Sequence, residues 1–376
     1  MKILFVVQGE GRGHLTQALS LEQMLTAHGH QVVGMLIGKN KTRKVPRFFT
    51  RKAKAPLSYF RSPGFNPSHD NRRIGLLRSV AGNILGIPQY ISSILFLRKS
   101  IRESGADLVV NLYDVLCGLT YGLFRPEVPQ VCIGHQYLFL HPDFRMPDTD
   151  RASMRSLLAF TRATCLGAKR RLALAMRAYP SDARQQLTVV PPLLRREVFS
   201  TPRHHGNYVA GYILNAGFAE DVKAWHEAHP EVPLRFFWDK RDAPEVLQID
   251  DTLSFHRLDD EAFLRTLADC RAYATTGGFE SVCEAYYMGK PAVMVPAHVE
   301  QLCNATDAER EGVGIVSDSF AIDRLLDFSR QYDEDGEFRL WANQAETRIV
   351  AALESVVEEQ CHQRAWAAGQ SMAAAY

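Results

Sequence analysis

Residues 275–305 read TTGGFESVCEAYYMGKPAVMVPAHVEQLCNA, directly behind the short apolar run 272–274. Gly277-Gly278 punctuate the end of that run, and residues 279–288 then carry helical spacing. The turn at Gly289-Lys290 and the apolar stretch "PAVMV" (291–295) follow as a second buried strand. Strand, helix and strand in this order mean an α/β domain with a parallel sheet. The stretch also carries chemistry. A helix opened by two glycines presents free N–H groups that can receive a diphosphate. Ser281 in its first turn adds a hydroxyl donor. Glu284, one turn further on, is a carboxylate able to take both hydroxyls of a ribose. Glu300, Gln301 and Asn304 stand at the mouth of the next strand and suit the hydroxyls of a sugar.

Outward from this unit the alternation continues. Upstream lie "YVAGYIL", a helix near 218–228, "PLRFFW", "TLSFH" and a helix near 259–268. The N-terminal half has its own series: "KILFVV", a helix over 15–28, "HQVVGMLI", "DLVVNL" (107–112), "PQVCIG" (129–134) and "LTVV" (187–190). Helical segments fall around 75–104, where Pro88 should interrupt or kink the helix, 115–123 and 152–176. Residues 189–207, rich in proline and charge, read as the connection between two Rossmann-like domains with a cleft between them. Ligands of such sheets bind beyond the C-terminal ends of the strands.

The 376 residues, 46% apolar and 23% charged, are enough for two full cores. "MKILFVV" is too short for a signal peptide, and no run of about 18 apolar residues suggests a membrane span. Seven scattered cysteines without a CxxC pair point to a reduced, cytoplasmic protein with no structural metal. The net charge of +2 conceals a division: residues 1–203 hold 30 Lys/Arg and 12 Asp/Glu, net +18, and residues 204–376 hold 14 and 30, net −16. The basic half expects an anionic partner.

Behind the first strand stands "QGEGRGHLTQA" (8–18), with Gly9, Gly11 and Gly13 followed by His14. A dinucleotide fingerprint needs glycine at 14 and an acidic residue at the end of the second strand. That strand ends in the basic "IGKNKTRK", so a nicotinamide cofactor is disfavoured. The glycines allow close backbone approach, and His14 in the first helical turn is able to take a proton from a hydroxyl nucleophile. The alternative is a histidine that caps or packs against its own helix. The Asp-x-Asp "DTD" (148–150) lies in a proline-containing loop and reads as a helix cap rather than a metal site.

The run G-G-F-E-S-x-x-E-A-x-x-x-G-K-P-x-x-x-x-P-x-x-x-E-Q-x-x-N-A resembles the donor site of GT-B glycosyltransferases, in particular UDP-glycosyltransferases and the N-acetylglucosaminyltransferase that makes lipid II. "GEGRGH" resembles the acceptor-side glycine loop of the same families and of a microbial group of predicted glycosyltransferases. The resemblance implies two Rossmann-like domains facing across a cleft: residues 1–198 for the acceptor, 199–340 for the nucleotide sugar, and helices in 341–376 packing back on the first domain. It implies that Gly277, Gly278 and Ser281 hold the diphosphate, Glu284 the ribose, Glu300 and Gln301 with Asn304 the sugar, and that Arg257 and Leu258 lie against the base. Plant-type members carry His at the position of Thr276, so part of the diphosphate contact must come from elsewhere. Position 276 also lacks the Glu that retaining relatives place eight residues before the ribose glutamate, which favours inversion. An inverting displacement needs a base, for which His14 is the candidate, oriented by Asp114 after "DLVVNLY". Glu10 and His135, at neighbouring loop ends, are the substitutes; Gly11 and Gly13 belong to the acceptor loop. No cofactor is expected; the nucleotide sugar is a substrate.

Residues 39–78 hold twelve Lys/Arg and one acid, with Phe48, Phe49, Tyr59, Phe60 and Phe65 among them. Such a stretch suits single-stranded nucleic acid or an anionic membrane surface; with this fold the second is favoured. The apolar residues 75–97 that follow read either as a core helix or as part of that surface. The expected reaction is transfer of a sugar from a UDP-sugar to a lipid-linked or envelope glycan, at the inner face of the membrane. A UDP-sugar 2-epimerase of the same fold and a non-catalytic protein binding nucleotide sugars or anionic surfaces are the rival readings.

Overall fold

The computed structural model describes residues 1–40, 45–63, 87–213, 216–240 and 242–373. Among the described residues, two seven-stranded sheets account for the strands. The first contains β1 (Lys2–Gln8), β2 (Gln31–Lys39), β3 (Leu57–Arg61), β4 (Leu108–Leu112), β5 (Gln130–Gly134), β6 (Arg170–Leu174) and β7 (Leu187–Val190) in the order β3-β2-β1-β4-β5-β6-β7. All its pairings are parallel. The second contains β8 (Val209–Ile213), β9 (Leu234–Trp238), β10 (Val246–Gln248), β11 (Leu253–Arg257), β12 (Ala272–Thr275), β13 (Ala292–Met294) and β14 (Gly314–Val316) in the order β10-β11-β9-β8-β12-β13-β14. Of these fourteen strands, only β10 runs antiparallel to its neighbour.

Helices cover both faces, so the central strands are continuous apolar runs rather than alternating ones. Ile3 through Val7 and Leu108 through Val110 are all buried. The strand order reverses at β1/β4 in one sheet and at β8/β12 in the other. A crevice opens at each reversal, beyond the C-terminal strand ends. The glycine loop after β1 and the one after β12 both lie there. The last helix, Ala345–Ala373, returns to the first domain: Glu346 meets His28, Glu354 meets His30, and Glu359 and Ser355 meet Arg170. Just before it, Trp341 Nε1 donates to the carbonyl of Ala175 at 2.8 Å.

Several expectations change. The single helix expected over 152–176 ends at Thr164. Gly167, at φ 69, stops it, and residues 170–174 form β6. Arg170 and Arg171 had hidden that strand; one guanidinium reaches the C-terminal helix, and the other lies against Cys165. Within the basic region, β3 is an edge strand with Phe60 as its buried side chain; residues 41–44 and 64–78 lie outside the described residues. Of residues 75–97, those from 87 on belong to the helix Ile87–Glu103, with Pro88 in its first turn, where a missing N–H costs nothing. The connection between the sheets is ordered, with Leu193, Leu194 and Val198 buried. Asp150 caps the helix Arg151–Thr164, accepting from Ser153 N at 2.8 Å.

Candidate active site

Three residues carry the chain from β1 to the helix Arg12–Ala27. Gly11 makes the turn at φ 98, a conformation that a side chain would strain. Gly13 brings the helix against the second domain: a Cβ there would lie 3.3 Å from Glu280 Cγ. His14 follows, 9% exposed. Its Nδ1 lies 3.2 Å from Gln17 Oε1, and its Nε2 lies 3.3 Å from Gln136 Nε2. The ring stacks between Tyr113 and His135, at centroid distances of 5.5 and 6.2 Å. Tyr113 holds its place at φ 64, a strained backbone for an aromatic residue.

Both glutamine amides face carboxylates. Gln17 Nε2 donates to Glu280 Oε1, and Gln136 Nε2 donates to Glu300 Oε1 at 3.1 Å. That orientation turns the Gln17 oxygen toward Nδ1 and the Gln136 nitrogen toward Nε2. These contacts suit a His14 that donates from Nδ1 and carries its lone pair on Nε2. Burial, then the neighbouring His135, lowers its pKa to about 4 against the pull of Glu300 and Gln17. The imidazole is neutral at physiological pH.

Asp114 is not the residue that orients His14. Its Oδ1 caps the helix Val115–Phe124, accepting from Leu116 N and Cys117 N at 2.9 and 3.0 Å. Its Oδ2 accepts from Ser62 Oγ at 2.8 Å. The helix N-terminus and the hydroxyl use up the carboxylate. Burial still raises its pKa to about 6.

Across the cleft, the helix Phe279–Tyr287 begins after Gly277 and Gly278 with no side-chain cap, so its first-turn N–H groups remain available to a ligand. Ser281 Oγ donates to Gly278 O at 3.2 Å. Glu284, 2% exposed, is already occupied. Arg195, from the connection between the sheets, binds both its oxygens at 2.5 and 2.7 Å. Glu300, in the first turn of the helix Val299–Arg310, accepts from His135 Nε2 at 2.9 Å as well as from Gln136. Asn304 Nδ2 lies 3.4 Å from the same His135 nitrogen. Gln301 turns inward, its Oε1 accepting from Ala297 N at 2.9 Å. Leu258 follows β11, pinned by its N–H to Trp238 O at 3.0 Å. His135 stacks on Phe279 at 4.6 Å and 7°. Glu10 lies near Tyr90, whose phenol is raised by burial and then by the Glu10 charge.

The two carboxylates facing domain one behave oppositely. Burial pushes Glu300 up, but the hydrogen bond and charge of His135, with His298 and His14, outweigh it and hold the carboxyl at about 2. Burial pushes Glu280 up to about 8, and its neutral partner Gln17 offsets little of that. Gln17, Gln136, Glu280 and Arg195 were not singled out in the sequence. Gln17 had a signal, being one turn from His14, and Glu280 lay inside the glycine-opened motif. Nothing in the sequence ties Arg195 to Glu284, 89 positions away.

The sequence model of Glycosyl transferase family 1 matches residues 1–331. None of the curated proteins matches the chain in sequence. Among solved structures, the glycosyltransferase of kitacinnamycin is similar at TM-score 0.63 and 19% identity, over 96% of this chain and 98% of that one. Arabidopsis thaliana UGT89C1 complexed with UDP is similar at 0.61 and 13%, over 96% and 99%. Acinetobacter baumannii MurG is similar at 0.52 and 14%, over 94% and 99%. The shared architecture is the GT-B fold.

Two measurements check this electrostatic layout. Arg195→Ala strands Glu284 in its buried position and lowers the unfolding free energy by about 3 kcal/mol in urea denaturation. Glu280 has a folded pKa raised from 4.5 to about 8, so the fold favours its acid form. Its contribution is fully present below pH 4.5 and is lost as pH rises through about 8. The melting temperature of Glu280→Gln therefore gains on that of the native chain by about a few degrees between pH 5 and pH 8.5. A constant difference across that range contradicts the assignment.

Proposed function

The chain belongs to glycosyl transferase family 1, and from that premise we propose that it moves a sugar from a UDP-sugar to an acceptor hydroxyl with inversion. The observation that carries this reading is the opposition of two features across one cleft. On one side stands a neutral histidine whose lone pair, on Nε2, faces inward. On the other stand an uncapped helix N-terminus and, in the first turn of the next helix, the carboxylate of Glu300. The first-turn N–H groups after Gly277 and Gly278 stabilise the leaving diphosphate as its charge grows. The helix dipole adds to that stabilisation without a metal. Glu300, with Asn304 and Gln301 behind it, takes sugar hydroxyls in place of His135 and Gln136. Glu284 reaches the ribose when Arg195 shares or releases one of its oxygens. His14 Nε2 accepts the proton of the acceptor hydroxyl as its oxygen attacks the anomeric carbon from the face opposite the diphosphate.

The acceptor is a lipid-linked or envelope glycan met at an anionic surface. Support comes from a patch on the first domain. Ile91 and Leu95 on the helix Ile87–Glu103 are 56% and 49% exposed, and Phe124 and Leu123 stand on the neighbouring helix. Cations frame the patch: Arg98 lies 4.5 Å from the Phe124 ring, and Lys39 lies 4.5 Å from the Tyr59 ring. Apolar side chains within a basic rim fit an anionic lipid headgroup layer. No described helix is long and apolar enough to cross a membrane.

Thermal shift with UDP, GDP, TDP and their sugars tests the donor site. The UDP series gives the largest rise in melting temperature, and no rise with any nucleotide refutes the site. His14→Ala keeps the UDP shift and loses about 10²- to 10⁴-fold in turnover. Sedimentation with phosphatidylglycerol vesicles tests the surface. The native chain pellets at low salt and is released at high salt, whereas Ile91→Asp with Leu95→Asp stays in the supernatant. Equal recovery of both proteins with neutral vesicles rejects an anionic surface.

A further inference from the structure

The two ring nitrogens of His14 are addressed by two glutamines of the first domain, and each glutamine is held by a carboxylate of the second. We propose that Gln17, anchored on Glu280 across the cleft, is the positioning residue that fixes the His14 tautomer, and that Gln136 stands where the acceptor hydroxyl binds at Nε2. The proposal rests on the reading of His14 as the base.

Gln17 is fully buried, so its amide has no water to turn toward. In the structure its Nε2 faces Glu280 Oε1 and its Oε1 faces Nδ1, the arrangement in which the oxygen accepts from Nδ1–H. Asp114, expected in this role, is spent on its helix cap and on Ser62. Gln136 is different. Its amide nitrogen serves both Glu300 and His14, while its own Oε1 is buried with no hydrogen-bond partner. It is held by its donors alone, in a position that a donor group on a ligand can take over. When sugar hydroxyls occupy Glu300, Gln136 loses one of its two acceptors. An acceptor hydroxyl then donates to Nε2 in its place. The O–H bond breaks toward Nε2 as the oxygen forms its bond to the anomeric carbon, and the electrons of the breaking C–O bond leave with the diphosphate. The resulting imidazolium keeps its Nδ1–H on Gln17. Because Glu280 belongs to the other domain, the base is oriented only while the cleft is closed on that carboxylate.

Long-range ¹H–¹⁵N spectra of the imidazoles in the full chain read this tautomer directly, with His14→Ala identifying the signals. The native chain and Gln136→Met show the Nδ1–H form of His14. Adding Gln17→Met to Gln136→Met turns the ring to the Nε2–H form that free imidazole side chains prefer. Glu280→Ala with Gln136→Met gives a mixture, and Gln17→Glu with Gln136→Met keeps the Nδ1–H form, since an acceptor remains. The proposal is overturned if Gln136→Met alone turns the ring, or if the Gln17→Met double variant leaves it on Nδ1. The single variant decides the matter even where a double variant does not fold. UDP thermal shift on the same samples separates the two readings: its absence removes glycosyl transfer and leaves the tautomer result standing.

Discussion

Three acidic side chains of the second domain, Glu284 buried and Glu280 and Glu300 partly so, lie along two successive helices, and each finds its partner outside that domain. A carboxylate withdrawn from water must be paired, hydrogen-bonded or protonated. Glu284 takes a guanidinium from the connection between the sheets, Glu300 takes an imidazole and an amide, and Glu280 takes a single amide. These partners are what close the cleft. The contact of Gly13 with Glu280 and the stacking of His135 on Phe279 follow from the same approach.

The quality of each partner sets the chemistry at each site. Glu300, beside three histidines, is held at about 2 and remains an acceptor at any physiological pH. Glu280 is pushed up to about 8 by burial, with Glu284 adding to the rise and the neutral Gln17 offsetting little of it. Arg195 is held charged by Glu284 despite its own burial. His14 is the counterpart on the other side of the cleft: burial and a neighbouring histidine keep it neutral, with Nε2 facing the Gln136 amide. An uncapped helix N-terminus thus stands on one side of the cleft and a neutral imidazole on the other.

Much of the scaffold was legible because parallel strands buried on both faces leave uninterrupted apolar runs. β1, β2, β4, β5 and β7 in one sheet, and β8, β9, β11, β12 and β13 in the other, could all be located from such runs. β6 could not, since Arg170 and Arg171 stand where apolar residues were expected and find their partners in the C-terminal helix and at Cys165. β3 is an edge strand with one buried side chain, too little signal inside a basic stretch. In the site, residue types at fixed spacing placed His14 and Glu284 at the cleft, because glycine-opened helices follow β1 and β12, where the sheet order reverses; Glu300 came from the helix after the next strand, β13. Partnerships were another matter. His14 with Gln17 is local, three residues apart, and was readable in principle. His14 with Gln136 and Glu284 with Arg195 join residues 122 and 89 positions apart, a separation that only tertiary structure brings together. Asp114 illustrates the converse error: a carboxylate at a strand end has a nearer claimant in the N-terminus of the helix it precedes.

Closure by self-contact has a thermodynamic consequence. Each side chain assigned to the sugar, the ribose or the acceptor proton is already engaged by the protein itself: Glu284 by Arg195, Glu300 by His135 and Gln136, His14 Nε2 by Gln136. A ligand does not fill empty hydrogen-bonding positions here; it exchanges for existing ones. The net affinity is the difference between two sets of contacts, and a ligand contributes only where it satisfies these groups better than the protein does. The uncapped N–H groups after Gly277 and Gly278 are the exception, since no side chain competes for them. Under the proposed reading, a diphosphate would gain full value at that one place, and the sugar and ribose hydroxyls only the surplus over Gln136, His135 and Arg195. On the proposed donor site, selectivity among sugars would depend on how completely a given arrangement of hydroxyls replaces the two donors on Glu300, and affinity for the nucleotide would depend on the helix N-terminus.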